Sequence, residues 1–211
     1  MSLDFPISLR LHGKKVLLVG AGKIATGRLL QLIEAGAVVH VVAPEASPEI
    51  SKLAAEGAIH FFKRGFQAGD CEGASIVFSA TDDKEVTLAV VAEARAKGIL
   101  VNAADIPPLC DFYVPSFGRR GPVTVAVSTA GLAPGLSRAM KERALEAVGP
   151  EWGKLATLMG RLRKLTPPGP ARTKALSTLV EDGAAQLLAR GDRAQLWKKI
   201  RSVWPATGAA R

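Results

Sequence analysis

A glycine-rich turn between an aliphatic run and an amphipathic segment constrains the fold of this chain more than any other feature. Residues 14–19 (Lys-Lys-Val-Leu-Leu-Val) predict a buried parallel strand, and the G-x-G-x-x-A pattern of residues 20–25 follows directly and opens a helix. Gly20 permits a tight turn, Gly22 lets a pyrophosphate approach the backbone, and Ala25 lets the helix lie close to the strand. We therefore expect dinucleotide phosphates to bind at the N-terminus of this helix.

The segments that follow alternate between strand and helix patterns. Apolar runs predict strands over residues 38–42, 59–62, 75–80 and 99–102, and helical spacing predicts helices over residues 24–35, 48–57 and 83–96. This alternation predicts an α/β fold, a Rossmann-type doubly wound parallel sheet.

The rhythm changes after residue 102. Residues 112–115 and 122–127 are strand-like, and the link between them is too short for a helical crossover, so we expect them to pair antiparallel as an extension at the edge of the sheet. A long helix is predicted over residues 134–148, and two or three further helices, interrupted by the Pro-rich link 166–170, extend to residue 204. We therefore divide the chain into a Rossmann domain (1–112), a linking segment (113–148) and a basic helical domain (149–211).

The positive charge of the chain lies almost entirely at its C-terminal end. Residues 1–150 hold 16 Lys and Arg against 15 Asp and Glu, whereas residues 151–211 hold 12 against 4. Such an excess indicates an acidic partner or a solvated basic helical face. Aromatic residues do not alternate with the basic ones, so we expect no nucleic-acid partner.

The same composition predicts a cytoplasmic protein without a membrane partner. The apolar runs are far shorter than the ~20 residues that cross a bilayer. The first six residues lack the basic and apolar regions of a signal peptide, and the two cysteines form no CxxC pair.

The ends of the second and fourth predicted strands supply further cofactor candidates. The second strand ends at Ala43, and Pro44 and Glu45 stand where a Rossmann domain usually places the acidic residue that binds the ribose. No arginine follows to hold a 2′-phosphate, so we expect NAD rather than NADP. Thr81 and Asp82 follow the fourth strand and are expected to border the cofactor, and Asp82 can also serve as the N-cap of the next helix.

Between residues 101 and 134 the sequence resembles one enzyme family. The segments Val-Asn-Ala-Ala-Asp (101–105), Asp-Phe-Tyr-Val-Pro-Ser (111–116) and Ala-Val-Ser-Thr-Ala-Gly-Leu-Ala-Pro (126–134) resemble the precorrin-2 dehydrogenase/sirohydrochlorin ferrochelatase module of siroheme synthases. The glycine pattern, residues 80–83 and the helical tail match the same family in order and spacing, so the resemblance covers essentially the whole chain.

The resemblance implies an activity, a cofactor and an assembly. Members of this family oxidise precorrin-2 to sirohydrochlorin with NAD⁺ as hydride acceptor, and some then insert Fe²⁺ to give siroheme. They are homodimers whose interface follows the Rossmann domain, which here is the segment 113–148. The family's cofactor contacts match Lys23 and Ile24 and also Pro44 and Glu45.

The resemblance also assigns the chemistry. The family's catalytic aspartate matches Asp105, which is expected to act as general base, and without the resemblance a turn-capping role would be the simpler interpretation. The substrate turn matches Ser128 and Thr129, with Thr129 in place of a family serine. Precorrin-2 carries ionised acetate and propionate groups. The candidates for binding the substrate are Asn102, Arg119, Arg120 and Arg138, and the alternative for each arginine is a solvated surface position.

Three questions stay open at this point. The sequence contains no permanent metal site, since His12, His40 and His60 do not cluster with Asp105, and it does not decide whether the chain inserts iron. The main alternative function is a non-catalytic NAD-sensing regulatory module, which needs the glycine pattern but no catalytic acid. The others are an oxidoreductase for a different acidic substrate and a nucleic-acid-binding protein.

Overall fold

A five-stranded parallel sheet forms the N-terminal half of the molecule. The computed structural model describes residues 4–204 and divides into two compact units, an N-terminal unit that ends at Val114 and a C-terminal unit that begins at Pro115. The strands of the N-terminal unit are β1 (Lys15–Val19), β2 (Val38–Ala43), β3 (His60–Lys63), β4 (Ile76–Ser79) and β5 (Val101–Ala103), in the order β3-β2-β1-β4-β5. Its helices are α1 (Lys23–Glu34), α2 (Pro48–Ala55) and α3 (Lys84–Ala96), with a 3₁₀ turn at Pro107–Leu109. This is the doubly wound Rossmann order, and the predicted fold class is confirmed.

The apolar residues of β1 explain why helices cover both faces of the sheet. Successive side chains of a strand point to opposite faces. Val16 and Leu18 pack in one core cluster with residues of α1 and α2, whereas Leu17 and Val19 pack in another with residues of α3. Since all four are almost fully buried, β1 is the central strand of the sheet.

Between residues 115 and 204, the C-terminal unit contains a hairpin and five helices. Its elements are β6 (Ser116–Arg120), β7 (Val123–Val127), α4 (Pro134–Ala147), α5 (Pro150–Lys164), α6 (Pro170–Glu181), α7 (Ala184–Ala189) and α8 (Arg193–Val203). The last four helices enclose an apolar core with Leu155, Leu179 and Ile200 among its members. Four helices thus follow α4 where two or three were expected, because Gly183 and Gly191, both with positive φ, divide the last segment into short helices. The Pro-rich link joins α5 to α6, as predicted.

The first strand of the hairpin lies four residues later than predicted. Residues 112–115 are not a strand, and the predicted link contains β6, which pairs antiparallel with β7 from Ser116↔Val127 to Arg120↔Val123. Only Gly121 and Pro122 connect the two strands. Gly121 has φ +58°, which a two-residue hairpin turn requires at this position and which glycine adopts without strain.

The hairpin also does not extend the parallel sheet. Antiparallel pairing is confirmed, but β6 and β7 form a separate two-stranded sheet, so the predicted edge position is wrong. The reason is packing within the C-terminal unit: Gly118 of β6 lies directly beneath the side chain of Leu145 in α4, where any larger residue would collide. The hairpin is thereby covered by its own helix.

None of the helices between residues 4 and 204 is long and apolar enough to cross a membrane.

Candidate cofactor and catalytic site

Backbone hydrogen bonds fix the glycine turn at the carboxyl ends of three strands. Gly20 N–H donates to the Val42 carbonyl of β2 (2.9 Å), and Ala80 N–H, directly after β4, donates to the Val19 carbonyl of β1 (2.7 Å). Gly20 has φ +103°, and a Cβ there would collide with the Ala80 carbonyl. Glycine is therefore required at position 20 both by its backbone conformation and by the close approach of the segment after β4.

The N-terminus of α1 differs from those of the two other helices in this unit. Ser47 caps α2 by accepting from Ile50 N–H, and Asp83 caps α3 by accepting from Glu85 N–H and Val86 N–H. The N-cap of α1 is Gly22, which offers no side-chain hydrogen bond, and the first turn carries no acidic residue. The amide groups and partial positive charge of this turn are therefore available to an anion.

The space above this turn fits a pyrophosphate. A Cβ built on Gly22 meets no atom within 4 Å, so the backbone faces open space. Ala21 and Ala25 are buried beneath it and hold the helix against the sheet. Lys23 and Ile24 are exposed in the first turn, and Ile24 is 56% exposed although it is apolar. The residues present thus meet the requirements of a dinucleotide-binding turn.

Pro44 and Glu45 lie next to the same turn. Both are exposed and follow β2 directly. The start of α2 is tied to the glycine turn, since Ser47 N–H donates to the Ala21 carbonyl (3.1 Å) and the Ser47 and Thr26 hydroxyls are 3.1 Å apart. The segment between β2 and α2 is therefore held beside the N-terminus of α1.

Thr81 and Asp82 follow β4 on the same edge of the sheet. The Thr81 hydroxyl accepts from Asp83 N–H (3.3 Å), and Asp82 is exposed. The helix cap is Asp83, so the alternative in which Asp82 caps α3 is wrong: the helix begins one residue later than that role requires. The Asp82 carboxylate has no hydrogen bond or ion pair with any residue in the described part of the chain.

Asp105 lies on this edge in an unusual backbone conformation. Ala104 N–H donates to the Ser79 carbonyl at the end of β4 (2.8 Å), which sets the turn after β5 beside the segment after β4. Asp105 has φ +60°, in the left-handed region that non-glycine residues rarely adopt. Its side chain is exposed and makes no hydrogen bond to residues 4–204, so the turn-capping role is not seen. Strained backbone of this kind is concentrated at functional sites.

A set of contacts that the sequence analysis missed holds the Asp105 turn in place. Arg95 of α3 donates to the Asp111 carboxylate (2.8 and 3.1 Å), and the same carboxylate accepts from Val101 N–H (3.1 Å). The Asn102 side chain donates to the Phe112 carbonyl (2.9 Å). These contacts join the C-terminal end of the loop to β5 and α3, so Asn102 acts on the shape of the Asp105 turn. The sequence offers little sign of the Arg95–Asp111 contact, since it shows only that an aspartate follows a helix that contains an arginine.

Cys110 lies inside the same loop. Its thiol donates to the Ala103 carbonyl (3.1 Å), and burial raises its pKa above the ordinary value. A thiol in this state is a packing group. Within residues 4–204 no group of three or more His, Cys, Asp or Glu is arranged to hold a metal.

The cavity of the N-terminal unit does not coincide with the strand edge that carries the glycine turn. A cavity of about 450 Å³ in this unit, lined by Phe66, Gly69, Glu93 and neighbouring residues, shares no residue with the edge. Since ligands of such sheets bind outside the carboxyl ends of the strands, the edge with the glycine turn is the candidate cofactor site.

The predicted substrate turn lies in the C-terminal unit. Ala130 has φ +52°, and the Ser128 hydroxyl accepts from Ala130 N–H (3.2 Å). The Thr129 hydroxyl accepts from Ala133 N–H (3.1 Å) and lies 2.9 Å from the Ser137 hydroxyl of α4. Thr129 thus secures the start of α4, whereas Ser128 is exposed.

The three predicted substrate arginines have different surroundings. Arg120 donates to the Leu145 and Val148 carbonyls at the end of α4, both at 3.2 Å, so its guanidinium is held by that helix. Arg119 stacks on the Phe117 ring, 5.1 Å from its centre. Arg138 is exposed on α4. Arg119 and Arg138 are therefore exposed, whereas Arg120 is partly buried.

Comparison with known proteins agrees with this geometry. A family model described as "Putative NAD(P)-binding" matches residues 7–116. The siroheme synthase of Methylococcus capsulatus is 40% identical over 190 residues, which are 88% of this chain and 40% of that protein. The siroheme synthase of Chromobacterium violaceum is 34% identical over 211 residues, 98% of this chain and 45% of that protein. The chain thus spans less than half the length of these curated relatives.

A solved structure has the same fold. The structure titled "SirC, precorrin-2 dehydrogenase" superposes with a TM-score of 0.78 at 25% sequence identity and covers 94% of this chain and 100% of that chain. These matches confirm the resemblance stated from the sequence motifs. Since the family model covers more than half of the sequence, the chain belongs to this NAD(P)-binding family, which confirms the cofactor class that the glycine turn predicts.

Proposed function

We propose that the chain catalyses the NAD-dependent oxidation of precorrin-2 to sirohydrochlorin. The observation that carries the proposal is the free carboxylate of Asp105, held in a left-handed turn on the same strand edge as the uncapped glycine turn. The similarity to siroheme synthases and to a precorrin-2 dehydrogenase structure supports the choice of substrate.

The glycine turn is proposed to hold the cofactor through its backbone. Gly20, Gly22, Lys23 and Ile24 would contact the pyrophosphate, and Pro44 and Glu45 the adenosine ribose. An acidic residue and the absence of arginine in the segment between β2 and α2 favour NAD over NADP. Bound NAD⁺ supplies the hydride acceptor.

The Asp105 carboxylate is proposed to be the general base. Oxidation of precorrin-2 removes a hydride and a proton, and Asp105 takes the proton from the macrocycle. Thr81 and Asp82, which follow the neighbouring strand, would border the cofactor on this side. The Arg95–Asp111 contact and the Asn102 amide keep the base in position.

The C-terminal unit is proposed to bind the substrate carboxylates. The exposed Ser128 hydroxyl and the Arg119 and Arg138 guanidinium groups are the candidates for direct contact. Thr129 and Arg120 are proposed to support this surface through their contacts with α4.

We further propose a cytoplasmic homodimer. The residues Leu132, Leu136 and Met140, at four-residue spacing along α4 and the turn before it, are 70%, 55% and 48% exposed. An apolar stripe of this kind on a helix is stabilised when a second copy covers it. Sedimentation of the wild type and of Leu136→Lys would measure the mass of the particle.

The proposal is tested by turnover under anaerobic conditions. Purified protein is mixed with precorrin-2 and NAD⁺, and NADH and sirohydrochlorin are followed by absorbance. Wild-type protein forms both in equal amounts, whereas a regulatory NAD-binding module would bind NAD⁺ and form neither. Fe²⁺ or Co²⁺ is then added to determine whether the same protein inserts metal, a reaction in which Asp105 would remove the pyrrole protons.

Asp105→Asn is the informative variant. Asparagine tolerates a left-handed backbone better than alanine does, so the turn keeps its shape while the base is lost. We expect kcat to fall about a hundredfold or more, as for loss of a general base, with unchanged NAD⁺ affinity. Glu56→Gln, an exposed carboxylate at the end of α2, is the control and should retain full activity. Wild-type turnover in Asp105→Asn would remove this residue from the mechanism.

A further inference from the structure

A basic cleft of about 340 Å³ lies within the C-terminal unit, between the hairpin turn and the first turns of α5. Three of its lining side chains, Arg119, Arg120 and Lys154, are cationic, and none is acidic. Its remaining wall is formed by small or neutral residues, including Gly121 and Gly153.

Packing fixes the shape of this cleft. Gly153 of α5 lies so close to the Arg120 carbonyl that a Cβ at this position would collide with it. Gly121 and Gly153 also approach each other, since a Cβ on Gly121 would lie 3.5 Å from the Gly153 Cα. The Arg120 guanidinium is bound to the carbonyls of Leu145 and Val148 and does not swing freely. The walls are therefore preformed.

The Lys154 ammonium group at the mouth of the cleft is available to an anion. Lys154 is exposed and has no hydrogen bond or ion pair with any residue between 4 and 204. The N-cap of α5, Gly149, provides no side-chain cap, and the Glu151 carboxylate lies against Gly149, where it offsets the positive end of the helix. The positive field of the cleft therefore comes from its side chains. Glu151 is the one acidic residue in the first turn and does not line the cleft.

We propose that this cleft is an oxyanion site for a carboxylate or phosphate group. Arginine and lysine side chains that converge from two elements are the groups that bind such anions. The volume is at the lower end of the range for ligand pockets, so it accepts a small anion or one arm of a larger molecule and not a whole macrocycle. The anion is either a carboxylate arm of the tetrapyrrole, which rests on the proposed function, or a free small polyanion.

Calorimetric titration tests the site without reference to catalysis. Citrate and inorganic phosphate are each titrated into the full chain, without NAD⁺ or substrate. Lys154→Ala is compared with Lys164→Ala, since both lysines are exposed residues of α5 and both substitutions remove one charge. The two positions are ten residues apart, about 15 Å along the helix.

The site is supported if the wild type binds citrate or phosphate and the affinity falls about five- to tenfold in Lys154→Ala but less than twofold in Lys164→Ala. The KM for precorrin-2 in the two variants then identifies the source of the anion. A KM raised only in Lys154→Ala assigns the cleft to a substrate arm, and an unchanged KM with weakened citrate binding assigns it to a free anion.

The proposal is overturned if neither anion binding nor KM distinguishes position 154 from position 164, since general attraction by a basic surface would then explain both. Failure of the proposed function has a different signature: citrate binding would still distinguish the two variants, although no NADH is formed.

Discussion

The two units of this chain offer positive charge to anions in different ways. The N-terminal unit, residues 1–114, holds 11 Lys and Arg against 13 Asp and Glu, whereas residues 115–211 hold 17 against 6. In the N-terminal unit the proposed phosphate site is made of backbone: a glycine turn and the uncapped end of α1, with Lys23 as the charged residue of the G-x-G-x-x-A pattern. In the C-terminal unit the positive charge is carried by side chains.

Because of this difference, we expect anion binding by the two units to respond to different changes. Oriented amide groups act only at short range, so a backbone site depends on the exact absence of a few Cβ atoms. A surface of charged side chains acts over about one Debye length, some 8 Å at physiological ionic strength, and depends on salt. The N-terminal unit should therefore be sensitive to small changes in shape, and the C-terminal unit to ionic strength.

The sharpest test of the backbone site compares two glycines of one turn. Gly20→Ala places a Cβ against the Ala80 carbonyl in a positive-φ conformation, so we expect the N-terminal unit to lose about 3 kcal/mol or more of stability. Gly22→Ala places its Cβ in open space, so stability should change by less than about 1 kcal/mol while NAD⁺ affinity falls. Urea unfolding and NAD⁺ titration measure both. Equal effects at the two positions would contradict the division into a structural and a binding glycine.

Salt should act on the substrate more than on the cofactor. If the side-chain charge of the C-terminal unit recruits the tetrapyrrole, its KM should rise roughly tenfold between low and high salt. The Kd of NAD⁺ should change less, because a backbone turn binds its phosphates. Steady-state kinetics over a series of salt concentrations measures both constants. A flat KM would show that the basic residues do not recruit substrate.

Asp82 and Asp83 are adjacent after β4, and we expect them to have different roles: Asp83 caps α3, and Asp82 is proposed to border the cofactor. Asp83→Ala removes the acceptor for Glu85 N–H and Val86 N–H and should cost about 1 kcal/mol of stability. Asp82→Ala removes no hydrogen bond within the described chain and should leave stability unchanged. Thermal unfolding measures the stability of both variants. A larger loss of stability in Asp82→Ala than in Asp83→Ala would contradict the assignment of Asp83 as the cap of α3.

The smallest expected effect on stability concerns the Arg64–Asp70 ion pair of the N-terminal unit. Arg64 donates two hydrogen bonds to Asp70 (2.6 and 2.8 Å), and these bonds lower the pKa of Asp70 below its ordinary value of 3.8. A lowered pKa stabilises the fold above pH 3.8, and the contribution disappears as the pH falls through the folded-state pKa. Asp70→Asn should cost about 1 kcal/mol or less at pH 7. Urea unfolding at several pH values should show this difference shrinking below pH 4, and a difference independent of pH would contradict the assignment.

The sequence predicted the parallel sheet because its strands are buried on both faces. Strands such as β1 are nearly continuous aliphatic runs, and glycines mark where they end, so local pattern and tertiary environment agree. β6 was missed for the opposite reason: its sequence, Ser-Phe-Gly-Arg-Arg, resembles a loop. It is a strand because β7 pairs with it and because Gly118 admits Leu145 of α4, which are both contacts between distant residues.

The site was predicted only in part for a similar reason. The glycine pattern indicated Gly20 and Gly22, and the family resemblance indicated Asp105; of these three, Gly20 and Asp105 have positive φ. These sequence patterns do not distinguish side chains that hold a loop in shape from side chains that are exposed to a ligand. Asn102, for example, donates to Phe112, a partner ten residues away that no local pattern indicates. Which of Asp82 and Asp83 caps α3 likewise depends on a helix boundary that shifts by one residue.

A crystal structure with bound NAD⁺ tests the central claim most directly. The account predicts the pyrophosphate on the amide groups at Gly22 and the first turn of α1, with the nicotinamide ring beside the Asp105 carboxylate. Phosphates bound elsewhere with the glycine turn empty, or a ring far from that carboxylate, would contradict it.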